Sequence, residues 1–244
     1  MNNIYVVGIG PGAYEQMTIQ AAETLKKSDV IIGYTVYVDL VKEHFAEKEF
    51  ITTPMRQEVE RCILAFEEAE KGKVVSMICS GDAGIYGMAG LMYEIGEKYP
   101  DTKLSIIPGV TAANAGAALL GAPLMHDFCL ISLSDLLTPW EKIETRLLEA
   151  AKADFVVCLY NPSSKKRADY LKKACELLMT YKSPETICGI VKDIARDGQT
   201  VKILSLKELR DENVDMFTTV YIGNEQTRHL KEHMVTPRGY RYDK

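Results

Sequence analysis

The chain lacks long hydrophobic runs, paired cysteines and any excess of positive charge. None of its 244 residues belongs to an apolar stretch approaching the roughly 20 residues that a membrane-spanning helix requires, so no membrane partner is expected. The first residues enter a strand-like stretch with no basic segment ahead of an apolar one. No export signal is read there, and a cytoplasmic location is expected. Six cysteines, at positions 62, 79, 129, 158, 175 and 188, stand singly with no C-x-x-C pair, several inside apolar runs such as "VVSMIC" and "FVVCLY". That pattern fits reduced, buried thiols better than a disulfide framework. With 29 basic against 34 acidic residues the formal charge is −5, which argues against a nucleic-acid partner while leaving room for a local basic site. Internal repeats and low-complexity segments are missing too.

What the chain does contain is alternation. Short β-branched runs at Ile4–Val7, Val30–Ile32, Glu49–Thr52, Val74–Cys79 and Leu104–Ile107 are followed by others at Phe128–Ser132, Phe155–Tyr160, Thr186–Val191, Val201–Leu204 and Phe217–Ile222. Between them lie amphipathic segments, clearest at Glu58–Lys71, Met88–Lys98, Trp140–Ala151 and Ala168–Met179. Strand–helix alternation predicts an α/β fold with mainly parallel pairing. In "LLGAPLMHD" (119–127), Gly121 and Pro123 break the pattern about halfway. Two α/β domains in tandem are therefore expected, 1–120 and 121–244, with a cleft between them as the default ligand site.

Three glycine-rich loops follow strands. The first, "VVGIGPGA" (6–13), meets the loose dinucleotide fingerprint but not its physics. Pro11 has no N–H for a pyrophosphate, and the helical pattern begins only near Thr18 instead of opening from the loop. The second strand ends "VIIGY", without the acidic residue that would hold a ribose. The second loop, "CSGDAGIYGMAG" (79–90), carries Asp82, which could hold a ligand ribose or amine; alternatively Asp82 or Ser80 caps the helix that Ile85 and Tyr86 are expected to head. The third, "IIPGVTAANAGAALLG" (106–121), turns at Pro108-Gly109 and opens an Ala-rich helix at Thr111-Ala112. All three lie at strand carboxyl ends, where open α/β sheets bind ligands, so they predict a cofactor site that is not a dinucleotide site.

The set "VGIGPG", "SGDAGIYG" and "PGVTAANA", in this order and spacing, resembles the tetrapyrrole (corrin and porphyrin) methylase family, whose cofactor is S-adenosylmethionine and whose product is S-adenosylhomocysteine. Nearly the whole chain takes part in the resemblance. "GYTVYVDLV" (33–41), "PMRQEVERC" (54–62), "LSDLLTPWEKIETRL" (133–147) and "LYNPSSKKR" (159–167) are similar to its ring-contracting branch in cobalamin synthesis. The resemblance implies a homodimer of two-domain α/β chains with the cofactor folded in the cleft. By motif match it assigns Pro11, Gly81, Asp82, Ala83, Ile85, Thr111, Ala112 and Asn161 to the cofactor, and Leu204 more loosely.

A tetrapyrrole carries many acetate and propionate carboxylates, so an acidic protein must still offer a basic surface to it. Arg56 and the "SSKKR" stretch with Lys165, Lys166 and Arg167 are candidates, as are Arg196 and Arg228, with solvated surface charge as the alternative for each. The three cations of "SSKKR" are expected to begin a helix, where they oppose its dipole. His229 and His233 have the i,i+4 spacing of a helix face; without a third ligand, no metal site is expected. Methyl transfer from a sulfonium needs positioning more than an activated nucleophile, and no Ser–His–Asp or Cys–His set is evident. Ring contraction, which the resemblance implies, adds proton transfers, for which Asp39, His126, Ser132, Ser134 and Asp135 are the candidates. Another precorrin methylase, a diphthine synthase acting on protein, or a non-catalytic S-adenosylmethionine sensor are the competing expectations.

Overall fold

A computed structural model describes residues 2–164 and 167–241. They form two compact units, Met1–Ala112 and Ala113–Lys244.

In chain order the first unit contains β1 (Asn2–Gly8), α1 (Ile19–Lys27), β2 (Val30–Tyr34), α2 (Thr35–Val41), β3 (Glu49–Thr53), α3 (Glu58–Glu70), β4 (Val75–Cys79), α4 (Ala89–Gly96) and β5 (Thr102–Ile107). Its five strands pair in the order β3-β2-β4-β1-β5, all parallel. A parallel sheet is covered on both faces, which is why β2 and β4 are buried nearly throughout rather than alternating, the one polar residue of β4, Ser76, being hydrogen-bonded to Ser28. On one face Val6, Ile32 and Met77 pack with Phe66 of α3 and Met92 of α4. On the other, Val7, Ile31 and Ile78 meet Leu25 of α1, Val38 of α2 and Phe45. Each such fully buried side chain stabilises the fold by about 1.5–3 kcal/mol. Because all five strands run the same way, their carboxyl ends share one rim.

The second unit holds α5 (Ala112–Leu120, its first residue being the last of the first unit), β6 (Gly121–Ala122), β7 (Phe128–Ser132), α6 (Trp140–Lys152), β8 (Val156–Tyr160), α7 (Tyr170–Leu178), β9 (Ile187–Lys192), β10 (Thr200–Ser205), α8 (Leu206–Leu209), β11 (Thr218–Ile222), β12 (Arg228–Leu230) and β13 (His233–Val235). Its main sheet runs β10-β9-β11-β8-β7, and β12-β13-β6 make a small separate sheet. Here the expected parallel pairing is corrected. In the main sheet only β7–β8 is parallel, whereas β9 pairs antiparallel with β10 and β11, and β11 with β8; in the small sheet β13 runs parallel to β6. The β9–β10 link, residues 193–199, is shorter than the dozen or so residues that a parallel crossover needs.

The division between the units falls at the start of α5, earlier than the expected break at Gly121. Two tyrosines explain it. The Tyr221 hydroxyl, fully buried, donates to Ala113 O at 2.9 Å, and Ala113 N donates to the Tyr160 hydroxyl at 2.8 Å. Any side chain at Gly116 would run into the Tyr221 hydroxyl, so the helix sits against β11 and β8.

Two local expectations are also corrected. His229 and His233 lie on the paired strands β12 and β13, opposite Met234 and Leu230, so the helical i,i+4 spacing does not apply. The helix after "SSKKR" begins at Tyr170, leaving Arg167 in the preceding loop; Lys165 and Lys166 lie outside the described residues. Among the described residues no helix is long and apolar enough to cross a membrane. The six thiols are free, five buried and Cys129 half-buried. Burial pushes Cys62 and Cys175 up to about 12, Cys79 and Cys129 up to about 11, and Cys158 and Cys188 upward as well.

Candidate active site

The rim of the first sheet is built almost wholly from backbone. Gly10 and Gly81 exchange two hydrogen bonds, Gly10 N to Gly81 O at 3.0 Å and Gly81 N to Gly10 O at 2.7 Å. Both glycines have positive φ, 77° and 70°, which L side chains rarely adopt. A Cβ on Gly8 would come within 2.7 Å of Gly109 N and Gly81 O, so the exits of β1, β4 and β5 touch backbone to backbone. Thr18 adds a further tie: its hydroxyl donates to Pro108 O at 3.1 Å and accepts from Ala21 N at the start of α1.

Asp82 holds this arrangement. One carboxylate oxygen accepts from Gly84 N at 2.8 Å and Ile85 N at 3.2 Å, and the other from Gly109 N at 2.9 Å. It is therefore neither a plain helix cap nor a free ligand group: it fastens the second glycine loop to the third. The chain at Ile85 and Tyr86 is not helical, since Tyr86 has φ 53° and α4 starts only at Ala89. Pro11, Gly81, Ala83 and Thr111 are buried, while Asp82, Ile85 and Ala112 are half-exposed on the same loops.

This donor set decides what kind of ligand fits. Gly10 N is spent on Gly81 O, Pro11 has no N–H, and a carboxylate stands in the adjoining loop. A pyrophosphate would find few donors there and a like charge. A cationic sulfonium with an adenosine beside backbone groups meets no such conflict.

Beyond β2 and β3 the same rim carries side chains. Asp39, on α2, is exposed and ion-paired with Lys42 at 2.6 Å. Arg56, with φ 72°, lines a groove of about 580 Å³ along α3 together with Glu58, Glu60 and Glu67. Three glutamates share this groove with one arginine, so its net charge does not favour a polyanion. The neighbouring Arg61 was not singled out from the sequence, although one signal was present. It puts a charge on the buried face of α3, beside Cys62 and one turn before Ala65.

In the second unit the exits of β7 and β8 form a side-chain network. Asn161, at φ 51°, donates from Nδ2 to Ser132 Oγ at 3.0 Å, and Ser134 N donates to the same oxygen at 3.2 Å. Arg167 Nη1 donates to Ser134 Oγ at 2.6 Å and reaches Asp135 at 3.4 Å. The Tyr170 hydroxyl donates to Asp135 at 2.6 Å and its ring lies 4.4 Å from that of Trp140. Ser132, Ser134, Asp135, Asn161 and Arg167 are thus brought together. The Tyr170 hydrogen bond, helped by Arg167, holds the Asp135 carboxyl below its usual range and outweighs partial burial. The same bond raises the Tyr170 phenol.

Four further candidates lie away from this cluster. His126 is in the bend between β6 and β7, and Leu204 is packed into the core with Cys188 and Leu206. Arg228 is exposed on β12, while Arg196 lies 5.8 Å over the Phe217 ring.

The family described as Tetrapyrrole (Corrin/Porphyrin) Methylases matches residues 3–210, through both units and all three glycine loops. The chain belongs to this family. Among its relatives, the "Cobalt-factor III methyltransferase" of Priestia megaterium is 47% identical over 242 residues, covering 97% of this chain and 45% of that protein. The chain thus spans less than half the length of that relative. A protein of Salmonella typhimurium named "Probable cobalt-factor III C(17)-methyltransferase" is 48% identical over 236 residues, covering 96% of this chain and 98% of its own length. The crystal structure of the methyltransferase CobJ superposes with a TM-score of 0.87 at 34% identity, covering 97% of this tetrapyrrole methylase and all of CobJ.

Proposed function

We propose that this chain is an S-adenosylmethionine-dependent C-methyltransferase that methylates C17 of cobalt-factor III, with ring contraction, in cobalamin biosynthesis. The observation that carries this is the 48% identity to the Salmonella typhimurium protein over nearly the full length of both, joined to a glycine rim suited to a sulfonium. The name of that relative, and that of the Priestia megaterium protein, favour the cobalt-containing substrate over precorrin-3B. A homodimer is part of the same proposal.

When bound, S-adenosylmethionine supplies a methyl group on a positively charged sulfur, already activated for displacement. The chain's own residues then have to position. Asp82 fixes the loop 80–85 against Gly109, so that Pro11, Gly81, Ala83, Ile85, Thr111 and Ala112 present a preset surface to the donor. Ser132, Asn161 and Arg167 form a preorganised polar cluster for the substrate's carboxylates or for the lactone that ring contraction closes. Asp135, already held as an anion by Tyr170 and Arg167, is a poor proton donor and serves to orient those two groups.

The test is incubation of the purified chain with methyl-labelled S-adenosylmethionine and either cobalt-factor III or precorrin-3B, read by mass spectrometry. Label on the macrocycle, faster with the cobalt compound, is expected. Label only in added protein would instead indicate a diphthine synthase, and no label despite cofactor binding a sensor.

A further inference from the structure

We propose that Arg61 is a substrate-binding residue: the end of its guanidinium takes a peripheral carboxylate of the tetrapyrrole at the β2–β3 part of the first rim. The proposal rests on the polycarboxylate substrate proposed above and names a residue for it.

Arg61 sits on α3 with only 4% of its surface exposed. Its Nε donates to Thr53 Oγ1 at 2.8 Å and its Nη2 to Pro54 O at 3.0 Å. The Tyr34 ring lies under the guanidinium carbon, 6.0 Å from its centroid. Thr53 and Tyr34 are the last residues of β3 and β2, so the guanidinium is fixed at the carboxyl ends of two neighbouring strands. Its positive charge is felt as far as Cys79, the last residue of β4 before the Asp82 loop.

The missing element is a counter-ion. Among the described residues no carboxylate lies within 4.0 Å of Arg61. Glu58, one turn earlier on α3, instead accepts from Arg56 N at 3.2 Å. A charge taken out of water without a partner costs several kcal/mol, and neutral oxygens offset that only in part. Nη1 has no hydrogen-bond partner among the described residues and is not sealed from solvent. With Nε and one N–H of Nη2 spent, the guanidinium plane is locked and the Nη1/Nη2 end of the fork points away from Thr53. That end has the geometry to grip both oxygens of one carboxylate. Arg56 offers no equivalent, being exposed and lining a groove that also carries three glutamates.

The experiment compares wild type with Arg61→Met and Arg61→Lys. Three quantities are measured: KM for cobalt-factor III, Kd for S-adenosylhomocysteine, and Kd for uroporphyrin III, a fluorescent octacarboxylate, by quenching. Loss of a charge-assisted pair predicts that Arg61→Met raises the cobalt-factor III KM and the uroporphyrin Kd by about ten- to a hundredfold. S-adenosylhomocysteine affinity should stay within about twofold, because the cofactor loops keep their own hydrogen bonds. Arg61→Lys, with charge but no fork, should fall between the two. Some loss of Tm is expected from freeing Thr53 and Pro54, so Tm is not the criterion. Unchanged tetrapyrrole KM and Kd in a folded variant would overturn the proposal, as would an equal loss of cofactor and tetrapyrrole affinity. If Arg61→Met does not fold, an Arg61→Lys protein with wild-type tetrapyrrole affinity overturns it. Failure of wild type to methylate either tetrapyrrole would sink the enzymatic reading instead, while uroporphyrin binding still judges Arg61. Should wild type bind no uroporphyrin and no cobalt-factor III, the proposal falls as well.

Discussion

The two sheets solve the same problem, a fixed surface at strand exits, with opposite materials. In the first unit the exits of β1, β4 and β5 are locked by peptide groups, glycines and one carboxylate. In the second, the exits of β7 and β8 are locked by side chains: Ser132, Ser134, Asp135, Asn161, Arg167 and Tyr170. Backbone packed against backbone has no freedom to relax, whereas a side-chain network can lose a member and regroup.

The largest expected effect breaks the backbone side of this comparison. Gly8→Ala would place a methyl group 2.7 Å from two backbone atoms and should cost about 3 kcal/mol, read from urea midpoints. Gly90→Ala on α4, with nothing within 4 Å of its Cβ, is the control and should be neutral or stabilising by about 0.5–1 kcal/mol. Equal costs at the two positions would deny the rim its special rigidity.

Next comes Asp82→Ala. Three N–H groups lose a charged acceptor, and S-adenosylhomocysteine affinity measured by calorimetry should fall about tenfold or more. A fall in melting temperature with unchanged affinity would confine Asp82 to holding the loops together.

A smaller effect belongs to the side-chain network. Because the folded Asp135 carboxyl titrates below its usual value, its contribution is present above the ordinary carboxylate pKa and disappears as pH falls through the folded one. Tyr170→Phe removes the main cause. It should reduce stability by under about 1 kcal/mol near neutral pH, since Asp135 is 34% exposed, and the deficit should vanish in acid. Unfolding free energies from pH 7 to 3 measure this, and a deficit constant across that range would show that lost packing, not the ion, was responsible.

The smallest effect is predicted at Arg56. Because Arg56 is exposed in a groove shared with three glutamates, Arg56→Ala should change the tetrapyrrole KM by less than about twofold, and less still at high salt. A large change in steady-state kinetics would shift the substrate contact from Arg61 to Arg56.

Strands were legible because buried parallel strands leave runs of apolar residues: Val74–Cys79 matches β4 within one residue. Phe128–Ser132 matches β7 to the residue although that edge strand is mostly half-exposed. The glycine loops were legible as a rim, since glycines cluster where strands end; that Gly8 and Gly109 press on each other and on Gly81 O was not. The antiparallel half of the second sheet was not, because direction depends on link length rather than on strand composition. Nor was the hairpin β12–β13, whose strands of three residues each, with Met234 alone fully buried, are too short to show alternation. Arg61 was overlooked because a charged residue inside an amphipathic helix is normally solvated; only its position on the buried face of α3 marks it. Asp135 and Arg167 were both singled out, but their pairing joins residues 32 apart in sequence, and no local spacing announces that.

The sealed thiols have a practical consequence. Alkylating reagents attack thiolate, and a cysteine whose pKa is about 11 presents roughly one thiolate in three thousand at pH 7.5. Five of the six thiols are buried as well, so the folded chain should react slowly with maleimides, the half-buried Cys129 being the most accessible. A cysteine introduced at Leu137, which is 98% exposed, would become the dominant attachment point for a fluorophore. The loop between β7 and α6 could then be watched as ligands arrive, with no need to remove the six natural cysteines first.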